Sequence, residues 1–240
     1  QQARTDTLIV RTMGGLRIPV PDKNIARVLD LYGEIRDDSF YRVDPNSSRL
    51  FFAPTARKLE AGSGYFADYF IFLPTVAVGL TDYFSLSGGM SLLPGADSQL
   101  MYFAPKVTVP ISSSMGFAAG FLYLAIPEEE DDLGLGYAVT TIGDDRRAFT
   151  LGAGLPVVAG SEQGAVLLLG GEMQISNSAK FISENWIFTG ADGTTLFSGG
   201  IRFFGDRLAV DLMLITTQDA FEGGGFPFLP LVDFSVFFGK

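Results

Sequence analysis

Cysteine and histidine are both absent from the 240 residues of this chain. Without cysteine, disulfides, thiolate metal sites and cysteine nucleophiles are excluded. Without histidine, the usual acid–base group at neutral pH and the commonest metal ligand are missing. Catalysis by Ser-His or Cys-His pairs and histidine-containing zinc sites are therefore excluded as well.

Long hydrophobic runs and a basic stripe are also missing. The chain is 47% hydrophobic, but every stretch long enough to cross a membrane as a helix is interrupted by charge, glycine or proline. A membrane-spanning helix is therefore not expected. The net charge is −10 and the lysines and arginines are not clustered, which argues against a nucleic-acid partner because phosphate binding needs concentrated positive charge.

What the sequence does contain is a series of segments of about ten residues, from Leu50 to Phe238, that alternate with period two. In residues 194–204, Phe197, Ile201 and Phe203 lie on one face, whereas Ser198 and Arg202 lie on the other. The small and charged face is too rich in glycine to be an ordinary solvated surface. An apolar outer face with a polar inner face is typical of a transmembrane β-barrel.

We predict an all-β fold, an antiparallel transmembrane β-barrel of about twelve strands with a small N-terminal extension. The predicted strands are residues 50–58, 65–79, 83–93, 100–111, 115–126, 133–142, 147–158, 165–176, 180–188, 194–204, 208–216 and 226–238. Short turns alternate with longer loops, and an even strand number places both ends of the barrel on the same, periplasmic side.

The first 48 residues differ from the rest. Hairpins are predicted around residues 13–15 and 37–38, and residues 44–48 carry a strong loop signal. We therefore divide the chain into residues 1–48, a periplasmic extension or plug, and residues 49–240, the barrel. No basic region followed by an apolar stretch opens the chain, so we expect the numbering to begin near a mature terminus.

The last strand carries a resemblance. Residues 232–240, VDFSVFFGK, resemble the C-terminal strand of bacterial outer-membrane barrels, and residues 49–55, 64–66 and 79–82 look like a group of uncharacterised predicted outer-membrane proteins from Gram-negative bacteria. The resemblance implies a barrel over residues 49–240, located in the bacterial outer membrane with lipid as its partner. Outer-membrane barrel enzymes generally rely on histidine, so we expect no enzymatic activity and no cofactor.

Parity along the predicted strands divides the side chains into two sets. The lipid-facing set is Leu50, Phe52, Phe84, Leu86, Val107, Val109, Leu135, Leu151, Leu167, Phe197, Leu212, Phe234 and Val236. The opposite parity predicts a lumen lined by Arg57, Asp68, Lys106, Glu172, Glu184, Arg202, Asp211 and Asp233, because a charge on the lipid face is costly. These charges are either a selectivity lining for a small polar or ionic solute or a self-neutralising network that fills a narrow barrel. Five acids against three bases predict a mildly negative lumen.

Two further patterns bear on the lumen. Small residues are predicted to point inward at Gly134, Gly136 and Ala138 and again at Ala148, Gly152 and Gly154. Such positions leave space for water, a ligand, a plug or side chains from the far wall. The acidic residues 128–132 match no defined calcium loop, and a solvated loop explains them better than a cation site.

Three functions remain open from the sequence. The first is a passive or weakly selective channel for small polar solutes or ions. The second is a plugged barrel that holds a protein partner at the outer membrane. The third is a soluble, lipocalin-like barrel that carries a hydrophobic ligand. A homo-oligomer is plausible, although no interface can be identified in the sequence.

Overall fold

A computed structural model describes residues 7–12, 14–26, 28, 33–36, 39–96, 98–125, 132–157, 164–190, 193–221 and 226–239. The chain forms two compact units, Gln1–Val43 and Asp44–Lys240. The boundary between the units thus lies a few residues before the predicted one. No helix in the described ranges is long and apolar enough to cross a membrane.

The first unit contains two small antiparallel sheets. Strands β1 (Thr7–Arg11) and β2 (Arg17–Pro21) form one pair, and β3 (Gly33–Arg36) and β4 (Ser39–Arg42) form the other. A short 3-10 helix, Asp22–Asn24, follows β2. Both predicted hairpins are confirmed, although Met13, Asp37 and Asp38 lie outside the described residues.

The second unit is a closed barrel of twelve antiparallel strands. The strands are β5 (Gly64–Tyr69), β6 (Leu73–Gly79), β7 (Phe84–Met90), β8 (Met101–Ser112), β9 (Met115–Ala125), β10 (Leu133–Gly143), β11 (Arg147–Pro156), β12 (Val166–Ser176), β13 (Ala179–Phe188), β14 (Thr195–Phe204), β15 (Leu208–Thr217) and β16 (Leu229–Phe238). Each strand pairs with the next, and β16 closes the barrel on β5. The predicted fold class is confirmed, and both ends of the barrel sequence lie at the end that carries the short turns.

The strand count is right because two wrong assignments cancel. Residues 50–58, predicted as the first strand, form no strand apart from an isolated bridge between Arg49 and Pro54. Residues 65–79, predicted as one strand, are the two strands β5 and β6. Their turn passes through Phe70 and Ile71 with φ of 57° and 70°. Such angles are uncommon outside glycine, so the residue types gave no turn signal.

The outer wall of the barrel is apolar. Large hydrophobic side chains are exposed along its strands, among them Phe66, Val107, Leu151, Phe197 and Val236. Buried charged residues project from the alternate positions, such as Lys106, Arg202 and Asp211. An exposed apolar wall around a charged interior is the arrangement of a transmembrane β-barrel, the reverse of a soluble barrel.

Three residues of the predicted lipid face lie inside instead. Leu50 is completely buried, and Phe52 and Leu135 line a cavity in the lumen. In β10, the bulky residues Leu135, Tyr137 and Val139 point inward, and alternation sends Gly134, Gly136 and Ala138 outward, against the prediction. The inversion has a packing reason: Tyr137 and Val139 pack against a buried apolar cluster in the lumen that includes Leu50 and Phe51.

Candidate functional site

The lumen contains part of the chain itself. Residues 44–59, here called the inserted segment, precede β5 and lie among the inward-facing side chains of the barrel. Asn46, Leu50, Phe51, Ala53 and Thr55 are fully buried. Some of its backbone groups pair within the segment, such as Leu50 N–H with the carbonyl oxygen of Ala53. The others need partners elsewhere because the segment has no regular secondary structure, and side chains of the wall provide several of them.

Glu184 on β13 binds the tip of the inserted segment. Its Oε2 accepts the backbone N–H groups of Phe51, Phe52 and Ala53 at 2.8, 3.0 and 3.1 Å. Its Oε1 accepts the indole N–H of Trp186 at 2.8 Å. The carboxylate therefore satisfies a run of backbone donors, the arrangement by which backbone N–H groups bind anions.

Lys106 on β8 binds the sides of the same segment. Its Nζ donates to the carbonyl oxygens of Ser48, Thr55 and Arg57 at 3.1, 3.1 and 3.2 Å. An ammonium group has three donors, so these contacts use all of them. The two arms of the segment are thereby drawn together.

Arg202 on β14 is the centre of an ionic network at the base of the segment. It forms a two-point ion pair with Asp211 on β15, at 2.7 Å from Nε to Oδ1 and 2.8 Å from Nη2 to Oδ2. Its Nη1 lies 3.1 Å from Asp44 Oδ2, and its Nη2 donates to the carbonyl oxygen of Leu50 at 2.5 Å. Asp211 Oδ2 also pairs with Arg49 Nη1 at 3.2 Å. The base of the segment is therefore joined to two strands.

The network continues through Lys180 on β13. Lys180 Nζ lies 3.3 Å from Asp44 Oδ2 and 3.0 Å from Glu172 Oε2. Glu172 pairs in turn with Arg57 of the inserted segment. Burial by itself raises the pKa of Asp44, but the charges of Lys180 and Arg202 outweigh it and hold that pKa below its ordinary value. Asp44 is thus a carboxylate in the folded barrel.

The structure brings most of the predicted lumen residues together. Lys106, Glu172, Glu184, Arg202, Asp211 and Asp233 project inward from strands and are buried. Arg57 also lies in the lumen, but it belongs to the inserted segment and not to a strand. Asp233 Oδ1 accepts the backbone N–H of Phe70 at 2.9 Å and so joins the β5–β6 turn to β16. Their role in selecting a solute stays a prediction.

Asp68 was wrongly assigned to the lumen. It shares the face of Phe66 on β5 and lies opposite Phe234 in the register, and both phenylalanines are exposed on the outer wall. The prediction treated residues 65–79 as one strand with one inward parity. In the structure the strand ends after Tyr69, and the inward set of β5 is Tyr65, Ala67 and Tyr69.

Three buried charges, Asp44, Arg49 and Lys180, do not belong to the predicted set. Lys180 lies on the same face of β13 as Ile182 and Glu184, so parity alone could have found it. Asp44 and Arg49 lie outside any strand and carry no such signal. With these additions, the buried acids are Asp44, Glu172, Glu184, Asp211 and Asp233, and the bases are Arg49, Arg57, Lys106, Lys180 and Arg202. Five acids balance five bases in the described interior, so the predicted negative excess is wrong.

Beside the inserted segment the lumen encloses a cavity of about 270 Å³. Arg49 and Phe52 of the segment form part of its lining, together with Lys106, Tyr137 and Trp186 of the wall. Other lining residues, such as Leu122 and Leu124 near the end of β9, belong to the half of the barrel that carries the longer loops. The ionic contacts of the inserted segment therefore lie toward the short-turn end, and the apolar lining of the cavity extends toward the other.

Metal binding has no support in the described part of the chain, which contains no group of three or more Asp or Glu residues that could hold an ion. Of the acidic stretch 128–132, only Asp132 is described. Its carboxylate accepts the hydroxyl of Tyr123 on β9.

Comparison with known proteins identifies the fold. No protein-family model and no curated protein matches the sequence. Among solved structures, KdgM porin in complex with disordered oligogalacturonate is similar, with a TM-score of 0.55 and 8% identity over 75% of this chain and 98% of that one. A second structure of KdgM porin has a TM-score of 0.54 over the same shares of both chains, again at 8% identity. The chain thus has the twelve-stranded fold of an outer-membrane β-barrel.

Proposed function

We propose that this protein is a channel for small solutes in the outer membrane of a Gram-negative bacterium, with a transport role and not a catalytic one. The observation that carries the proposal is the closed barrel with an apolar outer wall and an internal cavity of about 270 Å³. KdgM, which shares the fold, is a porin. That likeness concerns the fold, and the channel role is our proposal for this chain.

The inserted segment sets the character of this channel. Short turns face the periplasm in outer-membrane barrels, so residues 44–59 enter from the periplasmic end and narrow that half of the lumen. A solute that enters from the long-loop end reaches the cavity first. Complete passage then depends on movement of the segment, which Glu184 and Lys106 hold in place. We therefore expect small and infrequent conductance steps compared with an unobstructed barrel of twelve strands.

The interior charge also bears on selectivity. Because five buried acids balance five buried bases, the fixed charge of the described interior gives no strong preference for cations or anions. This supports a weakly selective channel. A protein partner or a second copy of the chain in the membrane stays a prediction.

The test is single-channel recording from the purified, folded barrel in a planar bilayer. Discrete steps support the channel. Silence from a barrel whose folding has been verified by its circular dichroism and its heat-modifiable migration would overturn it, and would favour a sealed barrel that anchors a partner. A detergent-free, soluble form of the same chain would contradict the membrane assignment itself.

A further inference from the structure

The lining of the cavity in the lumen resembles that of a ligand-binding site more than that of a water-filled pore. Ligand sites are mostly apolar and aromatic, with a few placed polar groups. The aromatic part of the lining is Phe52, Tyr65, Tyr69, Tyr102, Tyr137 and Trp186. Aliphatic side chains, including Leu59, Leu73, Leu122, Leu124, Val139 and Leu168, complete most of the surface. Such walls bind an apolar body better than a hydrated polar solute.

The charged residues of the lining have one sign. They are Arg49 and Lys106, and no aspartate or glutamate lines the cavity in the described part of the barrel. Lys106 contacts three carbonyl oxygens, and its charge has no carboxylate partner within ion-pair distance among the described residues. A buried cation balanced only by carbonyl dipoles leaves a positive potential in the adjoining space.

Arg49 adds unused donors. Its Nη1 is engaged with Asp211 and with the carbonyl oxygens of Leu50 and Phe51. Its Nε and Nη2 are buried and have no hydrogen-bond partner in the described ranges. These two nitrogens form one edge of the guanidinium fork, the edge that binds a carboxylate at two points. The group lies over the rings of Tyr65 and Tyr69, at 5.7 and 5.0 Å from their centroids.

We propose that the cavity binds a small amphipathic organic acid. The carboxylate lies at the Arg49–Lys106 end, against the inserted segment, and the apolar body lies among the leucines and aromatic rings toward the long-loop end. Both free nitrogens of Arg49 are covered, so the guanidinium turns toward the cavity as the acid binds. The inference deepens the proposed function, because it names the solute class that the channel receives.

The chain contains an intrinsic fluorescent reporter of binding. It has one tryptophan, Trp186, and that residue lines the cavity. Barrels in lipid nanodiscs are titrated with octanoate, with octyltrimethylammonium and with glucuronate while Trp186 emission is followed. Octyltrimethylammonium keeps the chain length and reverses the charge, whereas glucuronate keeps the charge and replaces the apolar body by a polar one. We expect a saturable emission change with octanoate alone.

A cavity-filling variant tests the location. Ala104 points inward on β8 and lines the cavity, so Ala104→Phe should weaken octanoate binding by on the order of tenfold or more. Val107→Phe adds bulk to the same strand on its outer face, where Val107 is exposed, and should leave binding unchanged. If Ala104→Phe does not fold, Leu122→Phe on the neighbouring strand fills the same space.

Each other outcome decides against part or all of the proposal. Equal responses to the two octyl compounds would show that the site does not recognise the negative charge. A response to glucuronate alone would show that the site does not require an apolar body. No saturable response, or one that Ala104→Phe leaves intact, would overturn the site. Conductance recorded on the same preparation separates the two proposals: conductance without octanoate binding removes only this inference, and binding without conductance removes only the channel.

Discussion

Lys106 and Glu184 hold the same loop from two different strands without contacting each other's charge. The ammonium of Lys106 takes three carbonyl oxygens on the arms of the inserted segment, and the carboxylate of Glu184 takes three N–H groups at its tip. The cationic side chain binds backbone acceptors and the anionic side chain binds backbone donors. Both kinds of backbone group that the segment leaves unpaired are therefore hydrogen-bonded. These two side chains therefore hold the backbone of the segment in the lumen, in addition to the ion pairs at its base.

Glu184→Gln should loosen the tip of the segment and increase channel conductance. The amide keeps one acceptor oxygen but loses the charge, and hydrogen bonds to charged groups contribute roughly 1.5–3 kcal/mol. Single-channel recording should show larger or more frequent steps than the unmodified barrel. Glu60→Gln makes the same chemical change at an exposed position, with 59% of the side chain accessible, and should change nothing. Unaltered conductance in Glu184→Gln would show that the segment does not limit passage.

Lys106→Met should destabilise the barrel. The change leaves the carbonyl oxygens of Ser48, Thr55 and Arg57 buried without their donor, and an unsatisfied buried polar group costs roughly 1–3 kcal/mol. The midpoint of urea unfolding in detergent micelles should fall accordingly. Lys58→Met provides the control, because Lys58 is 46% exposed and forms only a 3.8 Å pair with Glu60. Equal midpoints for the two variants would show that Lys106 does not stabilise the barrel through these carbonyl oxygens.

The Arg202–Asp211 pair should show strong coupling. Arg202→Met leaves the carboxylates of Asp211 and Asp44 buried with one partner fewer, and breaking a buried ion pair costs about 3–5 kcal/mol. In the double variant Arg202→Met, Asp211→Leu, one of these stranded charges is removed. The double variant should lose less unfolding free energy than the sum of the losses in Arg202→Met and Asp211→Leu. Additive losses would mean that the two residues do not interact.

A salt gradient across the bilayer should give a small reversal potential that indicates a weak anion preference. The buried charges of the described interior sum to neutrality, but the charged residues that line the cavity itself are Arg49 and Lys106. Removing one base by Lys106→Met should move the reversal potential toward cation preference, and removing one acid by Glu172→Gln should move it toward anion preference. A strong cation preference in the unmodified barrel would show that charge outside this set controls permeation.

Much of the architecture can be read from local pattern. In β14, Phe197, Ile201 and Phe203 alternate with Ser198 and Arg202, and this alternation is present in the chain before any partner strand is known. The same pattern led correctly to most of the buried charges, and it contained Lys180, which shares a face with Glu184. Short turns between strands also carried their own residue signals.

Two features of the chain led to wrong strand assignments. The turn at Phe70 and Ile71 is made by residues that do not favour positive φ, so β5 and β6 were joined and Asp68 was placed on the wrong face. Residues 50–58 contain enough alternating apolar residues to imitate a strand, and Leu50 and Phe52 were therefore assigned to lipid. In both cases the contacts that decide the structure lie far away in sequence, such as Asp233 with Phe70 and Glu184 with Phe51.

The sequence by itself determined that this chain is a membrane-spanning barrel with charges inside, because alternation is a property of each strand alone. Only the tertiary structure decided what fills the lumen. Asp44 and Arg49 become interior residues because the loop that carries them meets Arg202, Lys180 and Asp211 across the barrel. The inward side chains of β10, Tyr137 and Val139, likewise pack against a cluster that includes Leu50 and Phe51 of the inserted segment. Such choices depend on the packing of distant segments, which no local period encodes.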